Sequence, residues 1–225
     1  MSLYVCGDTH GDYDIYKLTS KRFDSKALTK NDYVLICGDC AAVWDMDSHD
    51  AYIQKWFNSK NWTTLYIDGN HENHEALDEL PVVEWNGGKV HMISDSIIHL
   101  MRGQVYTIDG HKIFTMGGAE SHDKEYRIEG MTWWDREMPS EEEYAEALSN
   151  LKKNDNEVEY IFTHCASDNT QDRISEHFSH DKLTNFFRCI DEDVKFNHWY
   201  CGHYHVDQDV DEKHTVLYDK VIKLW

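Results

Sequence analysis

The chain is poor in positive charge. Its 225 residues include 22 lysines and arginines against 42 aspartates and glutamates, which gives a formal net charge of -20 at pH 7. Diffuse attraction to a nucleic-acid backbone or to an anionic membrane surface is therefore not expected, because a polyanion would be repelled wherever no cation is bound. The composition disfavours stable nucleic-acid binding, and with it a nuclease activity.

Long apolar runs are also missing. No stretch of about 18 apolar residues, the length that crosses a bilayer, occurs in the chain. The start, Met1 to Asp8, has neither a basic region nor a cleavable apolar region. We therefore expect a cytoplasmic protein without a membrane partner, whose six cysteines are free thiols. The length and the 40% hydrophobic content fit a single domain over residues 1–225.

Five short polar clusters carry most of the information in the sequence. They are Gly7-Asp8-Thr9-His10, Gly38-Asp39, Gly69-Asn70-His71-Glu72, Thr163-His164 and Gly202-His203-Tyr204-His205. Each follows a short apolar run rich in β-branched or aromatic residues, which is typical of a buried strand. Each cluster therefore lies at the C-terminal end of a strand, the edge where open α/β sheets bind ligands.

The runs of the first third predict strands at 3–6, 33–37 and 63–67, alternating with helices near 13–21, 48–59 and from 73. This βαβαβ order predicts a parallel sheet core. The middle predicts an antiparallel meander of four strands, at 90–93, 97–101, 104–108 and 112–116, with a tight turn at Asp109-Gly110.

The second half begins with an ordered insertion loop at 117–137. Ser140 and Glu143 then form the capping box of a helix. The remaining predicted elements are strands at 158–162 and 197–201, a helix near 182–190, and a hairpin of 204–210 with 215–218 followed by a last strand to 224.

The polar clusters together supply enough ligands for two metal ions. A set of imidazole, carboxylate and amide donors without thiolate suits Mn, Fe or Zn. Side chains at i and i+2 of a strand point the same way, so Asp8 with His10, and His203 with His205, can each serve one centre.

In this order the clusters resemble the calcineurin-like metallophosphoesterase superfamily, whose pattern is D-x-H, G-D, G-N-H-E/D, a lone His after a strand, and G-H-x-H. The match runs from Asp8 to His205. The resemblance implies an α+β fold: a four-layer α/β/β/α sandwich of two packed mixed sheets with helices outside. It also implies a small phosphorylated substrate, a phosphate monoester or diester, hydrolysed by a hydroxide that bridges the two ions.

The resemblance further implies a role for each matching residue. Mn is the first expectation for the two divalent ions, with Fe or Zn as alternatives. One ion would be held by Asp8, His10 and His205, the other by Asn70, His164 and His203, and Asp39 would bridge them. His71 would stand beside the leaving group as a general acid or charge stabiliser.

The sequence departs from the protein Ser/Thr phosphatase branch of that superfamily. There the G-D cluster continues as G-D-x-x-D-R-G and an Arg precedes G-N-H-E, whereas here Gly38-Asp39 leads to Trp44 and Asp68 stands before Gly69. A phosphoprotein substrate is therefore less expected, and the residue that orients His71 is unassigned.

The insertion loop is similar to a G-G-A-x-S-x-D-K-x-x-R stretch of some bacterial and phage members. Arg127 could grip phosphate through two hydrogen bonds and Lys124 could act as a point charge. Both could instead pair with nearby acids on a solvated loop. Trp133-Trp134 could stack on a substrate ring or anchor the loop. His74 and His122 are the other histidines closest to the motifs.

Two other classes of function remain open. One is a protein-binding relative that keeps the fold without catalysis. The other is a redox protein that uses Cys37 and Cys40, whose C-x-x-C spacing is typical of reactive thiol pairs.

Overall fold

The computed structural model describes residues 1–225. The strands are β1 (Leu3–Cys6), β2 (Tyr33–Ile36), β3 (Thr63–Tyr66), β4 (Val82–Trp85), β5 (Gly88–Ser94), β6 (Ile97–Leu100), β7 (Gln104–Ile108), β8 (His111–Met116), β9 (Tyr160–Thr163), β10 (His198–Cys201), β11 (Gln208–Asp209), β12 (His214–Val216) and β13 (Val221–Lys223). The α-helices are α1 (Ser48–Asn58), α2 (His74–Asp78), α3 (Glu141–Lys153), α4 (Asp168–Ile174) and α5 (Lys182–Asp193). Short 3-10 turns lie at Ile15–Leu18, Lys124–Tyr126 and Asp135–Glu137.

The strands form two mixed sheets, as predicted. The first sheet has the order β13-β1-β2-β3-β6-β5-β4, and the second has the order β11-β12-β10-β9-β8-β7. The four consecutive strands β1, β2, β3 and β6 pair in parallel in the first sheet, and β12, β10, β9 and β8 do so in the second. Antiparallel strands complete both edges of each sheet.

The alternation of side chains along each strand builds the layers. In β1, Leu3 and Val5 point into a core that they share with Phe162 and Tyr200 of the second sheet, whereas Cys6 points to the opposite core beside Ile53 of α1. Helices α3 and α5 cover the outer face of the second sheet. The result is the predicted four-layer α/β/β/α sandwich, because each sheet buries both of its faces.

Several predicted elements are different in the structure. The helix predicted near 13–21 is only the 3-10 turn Ile15–Leu18, because the buried Lys17 ammonium donates to the backbone carbonyls of Asp8 and Tyr218 instead of facing solvent. The predicted four-strand meander is two separate hairpins. Strands β5 and β6 belong to the first sheet, whereas β7 and β8 belong to the second.

The chain changes sheet at Gly103, which has φ +70 and lies against Ala147 of α3. Strand β4 and helix α4 were not predicted; β4 is a largely exposed edge strand, and α4 has only seven residues. No helix in the structure combines the length and apolar character that a membrane crossing requires.

Candidate metal centre

All five polar clusters lie at one edge of the sandwich. Three follow strands of the first sheet, β1, β2 and β3, and two follow strands of the second, β9 and β10. Parallel strands deliver their C-terminal ends to the same edge, and here the corresponding edges of two sheets meet. The packing of the sheets therefore brings together side chains that are separated by up to about two hundred positions in sequence.

Asp39 lies at the centre of this cluster and is 1% exposed. Its Oδ2 atom is 3.2 Å from Nε2 of His10 and 3.4 Å from Nε2 of His164, so one oxygen faces imidazoles from two different loops. Its other oxygen, Oδ1, accepts the backbone N–H of His71 at 2.7 Å. Both oxygens are therefore fixed in direction, and Oδ2 lies between the imidazoles of His10 and His164.

Asp8 occupies the second acidic position, with no exposed surface. Its Oδ2 atom is 3.2 Å from Nε2 of His205, and its carboxylate accepts the backbone N–H of His203 at 3.0 Å. The donor atoms of Asp8, His10 and His205 lie within 4.8 Å of one another, as do those of Asp8, Asp39 and His164. The structure thus groups the three residues that the resemblance assigned to one ion.

Hydrogen bonds on the far side of the rings orient two of the imidazoles. Nδ1 of His164 is 2.7 Å from the carbonyl oxygen of Cys37, which places a proton on Nδ1 and turns Nε2 toward Asp39 and, at 3.1 Å, toward Oδ1 of Asn70. Nδ1 of His10 is 2.8 Å from the carboxylate of Asp14. Metal-binding histidines are commonly fixed in this way.

His203 is the predicted ligand that is placed least directly. Its ring lies 4.9 Å from the ring of His164, centroid to centroid, but its nitrogens belong to none of the clusters whose donors lie within 4.8 Å of one another. His71 does belong to such a cluster, together with His10 and Asp39. The structure therefore places the His71 ring within 4.8 Å of the Asp39 carboxylate, although it is not among the predicted ligands.

The convergence of these side chains comes from turns, which corrects the prediction from strand alternation. Strand β1 ends at Cys6 and β10 ends at Cys201, before the ligands begin. His10, Asp39, His203 and His205 have φ of +42, +50, +69 and +52, the left-handed region that residues with a Cβ rarely occupy. Such strain is found where the surrounding structure and function require it.

Two glycines make room for the ligands. A Cβ on Gly38, which has φ +95, would lie 2.1 Å from Nδ1 of His164, and a Cβ on Gly69 would lie 2.1 Å from Oδ1 of Asp39. Any larger residue at either position would displace a candidate ligand, His164 or Asp39. These two glycines are therefore required by close packing in this site.

Two histidines beside the buried carboxylates have raised pKa values, and Asp39 has a lowered one. Burial alone would lower the pKa of His10, but the hydrogen bond and negative charge of Asp39 outweigh it and raise the pKa to about 9. Burial likewise opposes protonation of His164, and the charge of Asp39 raises its pKa to about 10. Burial would raise the pKa of Asp39, yet the neighbouring His164 holds it well below its usual range.

The chemistry of these residues suits divalent cations. Two fully buried carboxylates need positive charge, and in the absence of metal the protons on His10 and His164 provide it. Burial and the charge of His164 lower the pKa of His203 to about 3, so this ring is neutral and can donate an electron pair. Nitrogen and oxygen donors without thiolate are the set that Mn, Fe and Zn accept.

The insertion loop brings Arg127 to the site. Its Nη1 and Nη2 atoms lie 3.2 and 3.3 Å from the two ring nitrogens of His71, and its Nε pairs with Asp123 at 2.7 Å. Lys124 pairs with Glu120 and Glu137 at 3.1 and 3.0 Å. Of the two roles considered for this lysine, phosphate contact or pairing with nearby acids, the structure shows the second. The guanidinium of Arg127 thus lies against the ring of His71, for which the sequence had assigned no orienting partner.

The other candidates of the sequence lie farther out. Trp134 is 3% exposed and packs edge-on against Trp44 with ring centroids 5.2 Å apart, so it anchors the loop. The ring of His122 is 6.2 Å from that of His203. His74 is buried beside Asp68 and Arg102, and burial with the charge of Arg102 lowers its pKa to about 3.

Three residues of the site were not singled out from the sequence. Ser121 accepts a hydrogen bond from Nδ2 of Asn70 at 3.1 Å and donates one to Glu137 at 2.7 Å. Asp14 holds His10, and Trp44 lies beside His71 with ring centroids 6.2 Å apart. The serine of the G-G-A-x-S-x-D-K-x-x-R pattern could have drawn attention to Ser121, whereas no motif marks Asp14 or Trp44.

The thiols of the C-x-x-C segment do not fit a redox pair. Cys37 and Cys40 are free and have no exposed surface. Burial raises the pKa of both thiols well above the usual value, which is the opposite of what a reactive thiolate requires. The backbone of this segment serves the site instead, since the Cys37 carbonyl orients His164.

Comparison with protein families identifies the class. Residues 1–207 match the family model described as calcineurin-like phosphoesterase, so the chain belongs to that family. The superfamily that the motifs resemble is thereby confirmed, and divalent metals are the cofactors of this family. A search of curated proteins gave no match.

Solved structures resemble this one only distantly. A structure described as a 5'-nucleotidase from Staphylococcus aureus has a TM-score of 0.45 and 12% identity, over 96% of this chain and 48% of its own. The structure of phosphopantetheinyl hydrolase from Mycobacterium tuberculosis has a TM-score of 0.46 and 13% identity, and the match covers 96% of this chain and 88% of the other. The structure of a protein serine/threonine phosphatase from Saccharomyces cerevisiae has a TM-score of 0.40 and 14% identity, and the match covers 97% of this chain and 67% of the other. The chain spans about half the length of the staphylococcal protein.

Proposed function

We propose that the chain hydrolyses a small phosphate monoester or diester with the help of two divalent metal ions. The observation that carries this proposal is the position of Asp39. One buried carboxylate oxygen lies 3.2 Å from a histidine nitrogen of the β1 loop and 3.4 Å from one of the β9 loop. A carboxylate oxygen shared by two ligand groups is what a two-metal centre requires.

The proposed ligands form two groups around this carboxylate. They are Asp8, His10 and His205 on one side, Asn70, His164 and His203 on the other, and Asp39 between. When bound, two divalent ions clamp a phosphoryl group and lower the pKa of water toward neutrality, so that no nucleophilic side chain is needed. Nitrogen and oxygen donors without thiolate suit Mn, Fe and Zn, and we expect Mn to support activity best because it is the first expectation from the family resemblance.

His71 is proposed to contact the leaving group. Its backbone N–H is fixed by Asp39, and burial lowers the pKa of its ring, with the charge of Arg127 acting in the same direction. The imidazole is therefore neutral at pH 7 and can donate one N–H hydrogen bond to the leaving oxygen. Arg127 lies against this ring and is proposed to hold a phosphate oxygen pair.

A fold that binds a protein partner without catalysis is the remaining alternative. Such a relative has no need to retain buried charges, because each unpaired buried carboxylate costs folding free energy. Here Asp8 and Asp39 are both kept with 0% and 1% exposure in a set of mutually oriented donors. This arrangement favours the catalytic proposal.

The test is a substrate screen with a matched pair of variants. Phosphomonoesters, linear diesters and cyclic diesters are assayed with chelator-treated protein to which Mn, Fe(II) or Zn is returned. The proposal predicts metal-dependent turnover that falls by orders of magnitude in Asp39→Asn. Asp24→Asn removes one exposed carboxylate at the surface and should not change the rate. Metal-free, inert protein would favour the scaffold alternative, and equal rates in both variants would show that the turnover arises elsewhere.

A further inference from the structure

A cavity of about 530 Å³ opens beside the proposed metal centre. One wall consists of site imidazoles, those of His10, His71 and His205. The lining also includes three ring-bearing side chains outside the proposed ligand set, Tyr13, Trp44 and His49, which we call the aromatic pocket. The volume falls within the roughly 300–1,000 Å³ of small-molecule sites. The cavity therefore has room for the part of a substrate beyond its phosphate.

Trp44 is held in place before any ligand binds. Its backbone N–H donates to Asp50 at 2.8 Å, and its carbonyl accepts a hydrogen bond from the side chain of Asn73 at 2.8 Å. Its ring packs edge-on against the buried Trp134. The result is a fixed aromatic surface beside His71, the residue proposed to face the leaving group. A preorganised surface binds a flat ring with little loss of conformational freedom.

Tyr13 lines the same cavity and is unusually exposed. The residue is 83% exposed, although a single exposed tyrosine is not by itself evidence of a site. What distinguishes it is its place on the cavity that also contains Trp44 and the site imidazoles. Two aromatic side chains thus stand at the cavity into which His71 directs the leaving group.

The charge of the cavity selects against anions. Its lining contains no lysine or arginine, and it includes the carboxylate of Asp14. His49 contacts Asp12 at 3.4 Å, and the neighbouring Asp45 is exposed. The nearest guanidinium, that of Arg127, contacts His71 but is paired with Asp123 and is proposed to hold the transferred phosphate, so further phosphates or carboxylates on a leaving group would meet these acids without a second cation. An uncharged leaving group would not.

We propose that the aromatic pocket binds the alcohol portion of the substrate and selects an uncharged flat ring there. The inference rests on the proposed function and names its substrate class: phosphate esters of neutral aromatic alcohols or of nucleosides, without a polyphosphate tail. Stacking of a ring on an aromatic side chain is worth on the order of tenfold in affinity. Aromatic alcohols and nucleosides both carry such a ring, and esters of each are assayed separately to distinguish them.

The experiment compares leaving alcohols of similar basicity, so that chemical reactivity does not decide the result. Metal-loaded protein is assayed with 2-phenylethyl, 2-cyclohexylethyl, ethyl and 2-(4-carboxyphenyl)ethyl phosphates, and with their methyl diesters. The expected kcat/KM is about tenfold higher for phenylethyl than for ethyl, on the basis of ring stacking. The cyclohexyl ester should gain less, and the added carboxylate should abolish the gain. Adenosine and uridine 5'-monophosphates test the nucleoside source.

Variants and a binding measurement separate recognition from turnover. Tyr13→Ala and Trp44→Leu should each reduce the phenylethyl-to-ethyl ratio by several-fold and weaken inhibition by 3-phenylpropylphosphonate. Tyr52→Ala, which alters another exposed tyrosine outside the cavity, should leave the ratio unchanged. Equal kcat/KM for all neutral esters, or a ring preference that survives both pocket variants, would overturn the inference. Turnover of none of the esters would overturn the proposed function itself, and this inference with it.

Discussion

The side-chain amide of Asn70 donates a 3.1 Å hydrogen bond to the hydroxyl of Ser121, a residue of the insertion loop. Ser121 in turn donates to the buried Glu137 at 2.7 Å and binds the same carboxylate through its backbone N–H at 2.9 Å. This chain of bonds directs the Nδ2 of Asn70 away from the centre and leaves Oδ1 facing His164. The insertion loop therefore orients a proposed ligand through the hydroxyl of Ser121.

Removal of this hydroxyl should weaken metal binding. In Ser121→Ala the amide of Asn70 loses its partner, and we expect the affinity for the more weakly held ion to fall by about 10- to 100-fold, as is typical of groups that support ligands. Competition titration with a metal indicator measures it. Ser20→Ala, at an exposed position, is the control. Equal affinity in both variants would show that the amide is fixed by other contacts.

Addition of a methyl group at Gly38 should displace His164. The new Cβ would lie 2.1 Å from Nδ1 of that histidine, and φ is +95. Gly110→Ala is a matched control because φ is +88 there and the added methyl group would have no atom within 4 Å beyond its two chain neighbours. Both variants carry the backbone strain of about 1 kcal/mol, but only Gly38→Ala should lose an ion. Two ions retained in Gly38→Ala, measured by elemental analysis, would contradict this.

Arg102 should be important for stability. Its Nε donates to Asp68 at 2.7 Å, both residues are buried, and Asp68 precedes the Gly69 turn of the site. Arg102→Met removes the guanidinium paired with the Asp68 carboxylate and leaves only His99 and His74 beside it, which we expect to lower the free energy of unfolding by about 3–5 kcal/mol.

The matched control for this experiment is Arg173→Met. It breaks the more exposed pair of Arg173 with Asp211 and should cost about 0–1 kcal/mol. Urea denaturation at fixed metal concentration compares the two variants. A loss below about 1 kcal/mol in Arg102→Met would mean that His99, 3.2 Å from Asp68, suffices as its partner.

Metal loading should release protons. Because the pKa values of His10 and His164 are about 9 and about 10, both rings carry a proton at neutral pH without metal, and a metal ion must displace it. We expect the two rings to release about two protons per loaded chain near pH 7.5, in addition to the proton of an ionised metal-bound water, and affinity to rise with pH up to about 9–10. Calorimetric titration in buffers of different ionisation enthalpy measures this. A binding enthalpy independent of buffer would refute it.

The same pKa values affect the stability of the metal-free protein. Both are raised above 6.5, so their contribution is fully present below pH 6.5 and is lost as the pH rises through about 9–10. Metal should remove this dependence, because the loaded rings no longer bind protons. Thermal unfolding of the chelator-treated and loaded forms between pH 6 and pH 10 provides the comparison.

The candidate site was largely predictable because its signals are local. A glycine and a ligand directly after an apolar run mark a strand end, and the structure places Asp8, Asp39 and His164 at such ends. Their geometry was not predictable from strand periodicity. The left-handed conformation of His10 and Asp39 is imposed by tertiary hydrogen bonds, such as the 2.7 Å bond from the N–H of His10 to the carbonyl of Asp39.

The fold class was predictable in the same way, but the partition of strands between sheets was not. Hairpin signals identify β5 with β6 and β7 with β8, yet they do not say which sheet each hairpin joins. That choice is made by long-range pairing of β6 with β3 and of β8 with β9. The loop pattern marked Ser121, but its role was equally hard to assign, because its partner Asn70 lies 51 residues away.

The central claim is that two ions share Asp39. Crystals of the protein loaded with Mn, with anomalous scattering recorded at the Mn absorption edge, test it most directly. The account predicts two peaks roughly 3.5–4 Å apart, with a carboxylate oxygen of Asp39 between them. A single peak, or two peaks of which neither contacts Asp39, would contradict it.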